Sequence, residues 1–330
     1  MIAAFDAFCG LGGWSTAAAR DGRVHVAHAI NHCEHAIAAH AAAHPSTTHH
    51  QQDVAEFDFA SVGQDIAGGI LFASPSCKGS SSASAPARQG MGGNARPNIS
   101  AMMRHTKGQR SLALHVVAAA EALDPELVLV ENVVGMREWN LYSGWVAMLE
   151  TLGYSVREHV LNARDYGAAT DRERLIITAS RSGAVDLATS WDGATGPRTA
   201  GDCLDADDFA GNRWHEVERK VARTRELIRS RQASAGFSRG ILNNVGDGVR
   251  LRPLSDLAPT LTTKSGSQLM LVDGDRVRIL NPLELARMMG WQDDEVSLPA
   301  NRGLAGQLVG NAIPVQLAQG VLAQALEVVA

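Results

Sequence analysis

Four side chains have the chemistry and the settings of a working site: Cys77, Glu131, Arg172 and Arg174. Cys77 ends the run GILFASPSC, where a short apolar stretch reads as a buried strand and Ser-Pro-Ser-Cys as its exit into a loop. A thiol at a strand end can serve as a nucleophile once ionised. The 33 residues from Lys78 to Arg110 carry six Lys or Arg and no Asp or Glu, which suits closure over a polyanion. Taken alone, the stretch reads equally well as a buried structural cysteine and a linker. Glu131 follows a second apolar strand, Glu126 to Val130. Ligands gather at the carboxyl ends of strands in open α/β sheets, so Cys77 and Glu131 are expected to face one cleft. A capping role is the plainer alternative for Glu131. Arg172 and Arg174, two residues apart before the strand Leu175 to Ala179, are expected to point to one side and share a task. A solvated charged edge is their alternative.

These side chains need a scaffold, and the first twenty residues supply one end of it. IAAFDAFCGLGG reads as a strand running into Gly10, Gly12 and Gly13, followed by a helix from Ser15 to Arg20. A glycine turn there lets a ligand approach the backbone at a helix N-terminus. Ser15 stands where the dinucleotide fingerprint has its third glycine, which suits a nucleotide-like ligand without a pyrophosphate, such as an adenosyl donor. Val24 to Ile30 reads as the next strand. Asn31 stands where an acidic residue ordinarily holds a ribose, with Glu34 three positions on. Asp53, after a third short element, is placed to meet an adenine amine.

Eight of the twelve histidines fall between His25 and His50. His28, His32 and His35 could share a helix face and hold a metal, but no Cys or carboxylate spacing supports this, so no metal is expected. Cys9, Cys33, Cys77 and Cys203 are far apart and form no CxxC pair, which fits a reducing cytoplasm rather than a disulfide framework. No signal peptide and no membrane-span-length apolar stretch is apparent. Net charge is -5, so any nucleic-acid site must come from local asymmetry.

That asymmetry lies late in the chain. Residues 181–212 read as loop-rich. Residues 213–252 carry ten Lys or Arg against four Asp or Glu. His215 to Arg231 is expected to be a helix with Val217, Val221 and Ile228 inward, and the stretch around Asn243, Asn244, Gly246 and Gly248 to be turn-rich. A basic module with glycine loops fits DNA contact; a solvated helix face is the alternative. Ser111 to Leu123, Trp145 to Leu152, Asn281 to Met289 and Gln307 to Val329 carry helical patterns, and Tyr154 to Leu161 a strand pattern.

Taken in order, these segments resemble the cytosine-C5 DNA methyltransferase family. FDAFCGLGG (5–13) looks like the donor-binding motif, SPSCKGSS the Pro-Cys nucleophile motif, ENV (131–133) the glutamate motif and DRERL (171–175) the QxRxR-type motif. RPLSDLAPTLTT (252–263) resembles the segment closing the target-recognition region. GNAIPVQLA (310–318) resembles the final motif, which folds back beside the first. The resemblance covers nearly the whole chain except roughly 181–250.

The resemblance implies an α/β fold with a mostly parallel seven-stranded Rossmann-like sheet, its last strand antiparallel. It implies a catalytic domain of 1–180 plus 305–330 and a smaller target-recognition domain of 181–304. It implies an S-adenosylmethionine site at Phe8, Gly10, Leu11, Gly12, Gly13, Asn31, Asp53, Val54, Pro75, Asn311 and Ala312. It further implies a monomer acting on double-stranded DNA in the manner of restriction-modification methyltransferases; the sequence does not say whether a restriction enzyme accompanies it, and its size suggests a bacterial or phage origin. The target cytosine is flipped into the cleft, Cys77 adds to C6, Glu131 holds N3, and Arg172, with Arg174, holds O2 and the loop.

Four positions depart from the pattern: Ser76 for Pro, Lys78 for Gln, Asn31 for the ribose acid and Thr170 for the Gln of the arginine motif. An RNA target, a donor with an anionic group, or a non-catalytic DNA-binding relative remain as alternatives.

Overall fold

Seven strands form one sheet in the order β3-β2-β1-β4-β5-β7-β6. The computed structural model describes residues 1–75, 111–193, 195–196, 198–205, 213–217, 222–245 and 248–329. Ser76, Cys77, Lys78 and the rest of the loop to Arg110 lie outside the described residues, as do Val221 and Gly246. The strands are β1 Ile2–Ala7, β2 Val24–Asn31, β3 Thr48–Gln51, β4 Ile70–Ala73, β5 Leu127–Asn132, β6 Ser155–Asn162 and β7 Glu173–Ser180. From β3 through β5 all neighbours pair in parallel; β7 runs antiparallel to both β5 and β6. The order reverses between β1 and β4, and the crevice at such a switch point is where open α/β sheets bind ligands.

Every residue of β4 and β5 is buried, as near-continuous apolar runs predict for strands covered on both faces. One face packs against α3 Gly63–Ile66, α4 Leu114–Leu123 and α5 Tyr142–Thr151, with Leu71, Val128, Ile177 and Trp145 in a single cluster. The other packs against α1 Gly13–Asp21 and the C-terminal helix Val315–Val329, joining Phe72, Leu129, Trp14 and Leu322. Helix α1 starts after Gly12 (φ 82°) and stops at Gly22 (φ 76°), both left-handed positions that favour glycine. Between α1 and α3 lies α2, Glu34–Ala43.

A second, antiparallel sheet has the order β10-β9-β11-β12-β8. Its strands are β8 His215–Glu216, β9 Arg239–Val245, β10 Gly248–Pro253, β11 Leu269–Asp273 and β12 Arg276–Ile279. The basic helix α6 is shorter than the sequence pattern suggests, Ala222–Ala235. His215 and Glu216 pair with β12 instead, and Val217 is buried beside Ile228, Leu242 and Val277. Tertiary pairing overrides helix propensity there. The region around Asn243 and Asn244 is likewise strand: β9 runs through both to Val245, hydrogen-bonded on each side by β10 and β11.

The chain then passes through α7 Ser265–Gln268 and α8 Pro282–Met288, and returns to the first sheet through α9 Arg302–Asn311 and α10 Val315–Val329. Asn281 and Glu284 form a reciprocal capping box on α8. A third cluster, with Leu11, Ala169, Leu261, Leu271, Met288 and Val309, joins the small sheet to the turn after β1 and to α8 and α9. Residues 302–329 are the one described helical stretch with the length and apolarity of a membrane span, yet two-thirds of its 18-residue apolar window is buried in the protein. Its apolar side is core packing.

Candidate active site

The ends of β1, β2, β4 and β5 and the turn between α9 and α10 line one cleft of about 360 Å³. Phe8, Gly10 and Gly13 form its edge after β1. The turn is tight: Phe8 has φ 63° and Gly10 φ 56°, and the Gly12 N–H donates to Cys9 O at 2.8 Å. Asn31 closes β2, and its Oδ1 accepts the Cys33 N–H at 3.0 Å, fixing the start of α2. Asp53 is exposed at the rim with its Oδ1 on the Ala55 N–H, and Val54 is buried beside it.

Glu131 lines the same cleft with only 7% of its side chain exposed. Nε of Arg174 lies 2.8 Å from Oε1 of Glu131 and balances its charge. A buried carboxylate needs such a partner, and the pairing fixes where its remaining oxygen points. The next residue, Asn132, donates through Nδ2 to Pro75 O at 3.1 Å and accepts the Val133 N–H through Oδ1. The last described residue before Cys77 is thus tied to the strand carrying Glu131.

Arg172 also lines the cleft, but its guanidinium faces backbone oxygens. Nη2 donates to Gly310 O and Ala312 O, each at 3.0 Å, and Nη1 donates to Leu261 O. Arg172 and Arg174 therefore make different contacts, although period-two spacing suggested that they point to one side. Arg172 precedes β7, and each side chain answers a different neighbour.

A family model for C-5 cytosine-specific DNA methylase matches residues 2–327. The chain belongs to that family. It is similar to the type II methylase M.HgiDII of Herpetosiphon aurantiacus, 27% identical over 115 residues, covering 33% of this chain and 32% of that one. It is 27% identical over 218 residues to the type II methyltransferase M.NlaX of Neisseria lactamica, covering 62% and 63% of the two chains. These matches span about a third to just under two-thirds of the relatives' lengths. The solved structure of a putative DNA modification methyltransferase from an E. coli prophage superposes with a TM-score of 0.67 at 20% identity, covering 99% of both chains. That likeness is one of fold.

Against the family pattern, the structure brings Phe8, Gly10, Gly13, Asn31, Asp53, Val54, Pro75, Asn311 and Ala312 to the cleft with Glu131, Arg172 and Arg174. It turns Leu11 away: that side chain is 1% exposed and packs in the third cluster beside the small sheet. Gly12 faces α2, where an added Cβ would lie 2.8 Å from His44 Nε2 and 2.9 Å from His40 Cδ2. Trp14 and Ser74, unmarked by the motif spacing, also line the cleft, and Trp14 Nε1 donates to Ser74 Oγ at 3.2 Å. An aromatic residue directly after a glycine turn was the available signal.

The histidine-rich segment forms a hydrogen-bonded layer beneath the glycine turn. Asp6, 1% exposed, accepts from Ser15 Oγ at 2.7 Å; Ser15 Oγ lies 3.0 Å from His40 Nε2, and His40 Nδ1 lies 2.8 Å from His49 Nε2. Thr16 Oγ1 accepts from Trp291 Nε1 at 3.0 Å and lies 3.3 Å from His44 Nε2. Burial, with His40 and His49 nearby, pushes His44 down to about 4, so it is neutral at neutral pH. Among the described residues, no group of three or more His, Cys, Asp or Glu could hold a metal ion. Burial pushes the thiol of Cys9, which lines the cleft, far up, so it stays protonated and packs against Ala29 and Ile37.

Proposed function

We propose that this chain is a DNA cytosine-C5 methyltransferase that uses S-adenosylmethionine and acts through Cys77 on a cytosine flipped out of double-stranded DNA. The observation that carries this reading is the Glu131–Arg174 pair in the cleft that the glycine turn also lines. Family membership adds the target class.

The residues present fit such a donor. Left-handed Gly10 removes side-chain bulk where a nucleoside approaches the backbone, and Asp53 and Asn31 supply polar groups at the ends of neighbouring strands. When bound, the sulfonium donor supplies an electrophilic methyl group. The protein makes C5 of cytosine nucleophilic. The Cys77 thiolate adds to C6, forming an S–C6 bond and moving an electron pair toward C5. A proton taken up from solvent and shared between Glu131 and N3 offsets the charge developing on the ring, with Arg174 holding Glu131 in place. After C5 takes the methyl group, water accepts the C5 proton, the C5–H electron pair reforms the C5=C6 bond, the S–C6 bond breaks to return the Cys77 thiolate, and N3 gives up its proton.

The basic segment 213–252 supports a DNA target, since Arg and Lys neutralise phosphates while groove contacts read bases. We read 1–180 with 305–330 as the catalytic unit and 181–304 as the recognition unit, working as a monomer.

Nucleoside mass spectrometry of unmodified duplex DNA incubated with the chain and S-adenosylmethionine tests the proposal. One methyl group gained on cytidine, and none with Cys77→Ala, is the expected result. Methylation that survives Cys77→Ala would overturn the covalent route.

A further inference from the structure

We infer that Arg172 is a positioning residue for the donor and makes no contact with the target base. This rests on the proposed methyl-transfer reading, and concerns how the donor wall is built.

Helix α9 ends at Asn311, and Asn311 and Ala312 line the cleft. The last carbonyls of a helix have no partners within it. Here Arg172 provides them from 138 and 140 residues away in sequence, donating to Gly310 O and Ala312 O. A cation at a helix C-terminus also suits the helix dipole. Nη1 reaches a second segment at Leu261 O. One guanidinium thus fastens the end of α9 to the 258–262 segment and to the start of β7, and its fork suits three carbonyls better than a lysine ammonium does.

Neighbouring contacts lock the same seam. Ala258 N donates to Ala169 O at 2.8 Å and Asp171 N to Ala258 O at 3.1 Å. Thr170 Oγ1 donates to Pro259 O at 3.2 Å, and Thr260 Oγ1 to Asp171 O at 2.5 Å. Gly310 lies so close to this segment that an added Cβ would be 2.2 Å from Thr262 O. Arg172 is 2% exposed. With its Nη atoms on backbone oxygens, it holds the residues that form the donor wall, while Arg174, on Glu131, serves the base side.

The test compares Arg172→Lys with Arg174→Lys in the full chain. Calorimetric titration with S-adenosylmethionine in the absence of DNA gives the donor Kd; single-turnover methylation at saturating donor gives the chemical rate. Arg172→Lys is expected to weaken donor binding about tenfold or more and leave the rate at saturating donor within about threefold. Arg174→Lys is expected to do the reverse. An unchanged donor Kd in Arg172→Lys, whether or not the rate falls, overturns the inference. If Arg172→Lys does not fold, Thr170→Val loosens the same seam more gently; a donor Kd two- to fivefold weaker supports the inference, and an unchanged one overturns it. A wild-type chain that binds no S-adenosylmethionine overturns the donor reading itself, and this is seen in the first titration.

Discussion

Nε of Arg174 and Oε1 of Glu131 are 2.8 Å apart with both side chains nearly buried, so neither is placed without the other. Arg174 leaves β7 and Glu131 stands opposite Ile176 on β5, so antiparallel pairing of these strands brings them together. Glu131→Gln keeps the shape and removes the charge. It is expected to lower the single-turnover rate about 100-fold or more, the scale seen on losing one stabilising group at a reacting centre, with donor affinity within twofold by calorimetry. A rate within threefold of wild type would remove Glu131 from the chemistry.

Removing the arginine has a different cost. Arg174→Ala leaves the Glu131 carboxylate buried and unpaired, which typically costs about 3–5 kcal/mol. Chemical denaturation should show Arg174→Ala less stable by about that amount, and the double variant Arg174→Met with Glu131→Leu should recover most of it. A double variant as unstable as Arg174→Ala would mean that packing, not charge, sets the loss.

Much of this was legible in the sequence, for physical reasons that also explain the misses. β4 and β5 are buried on both faces, so their composition alone marks them, and their last residues mark the cleft. Glu131 is readable because it is polar at the end of an apolar run. Leu11 and Gly10 are neighbours in one motif, yet spacing cannot say that one enters the core and the other the cleft. The partners of Arg172 are more than 80 residues away. β8 was hidden because its two residues are strand only through β12.

Trp14 and Ser74 give a prediction on the cleft floor. The indole stacks on Phe72 with ring centroids 5.2 Å apart and planes 4° apart, and donates to Ser74 Oγ. Ser74 precedes Pro75, whose carbonyl Asn132 holds. Trp14→Phe keeps the stacking and loses the donor. It is expected to slow methyl transfer about three- to tenfold, and Ser74→Ala to match it, with no further loss in the double variant. Additive losses would show that the two residues act separately.

The Arg278–Glu284 pair is the deepest ion pair among the described residues, with both side chains 0% exposed. Glu284 accepts from both Nη atoms, at 2.8 and 2.6 Å, and from the Asn281 N–H and the Asp205 N–H. Glu284→Gln removes the charge and turns one of its two oxygens, each of which accepts two hydrogen bonds, into a donor. A loss of about 3 kcal/mol or more in denaturant unfolding is expected, with the small sheet loosening first by amide hydrogen exchange. A loss below about 1 kcal/mol would assign the stability of α8 to its apolar packing.

His44 sets an acid limit for the fold. Its value falls from an ordinary 6.5 to about 4 in the folded chain, chiefly through burial, then through His40 and His49. Burial likewise pushes His49, His50 and His159 down. A basic group whose folded value is depressed is protonated first in the unfolded chain. Its stabilising contribution is whole above pH 6.5 and is lost as pH falls toward 4. At about 1.4 kcal/mol per pH unit, reduced for partial exposure, His44 accounts for about 2 kcal/mol of that loss. Burial raises the Glu295 carboxyl, but Arg20 and the Gln292 N–H outweigh it and hold the group low. Its contribution therefore fades in a lower window, as pH falls below the ordinary carboxylate range. Urea unfolding from pH 7.5 to 4.5 should show stability falling from about pH 6.5, with a shallower slope in His44→Gln. Equal slopes in the two proteins would place the acid sensitivity elsewhere.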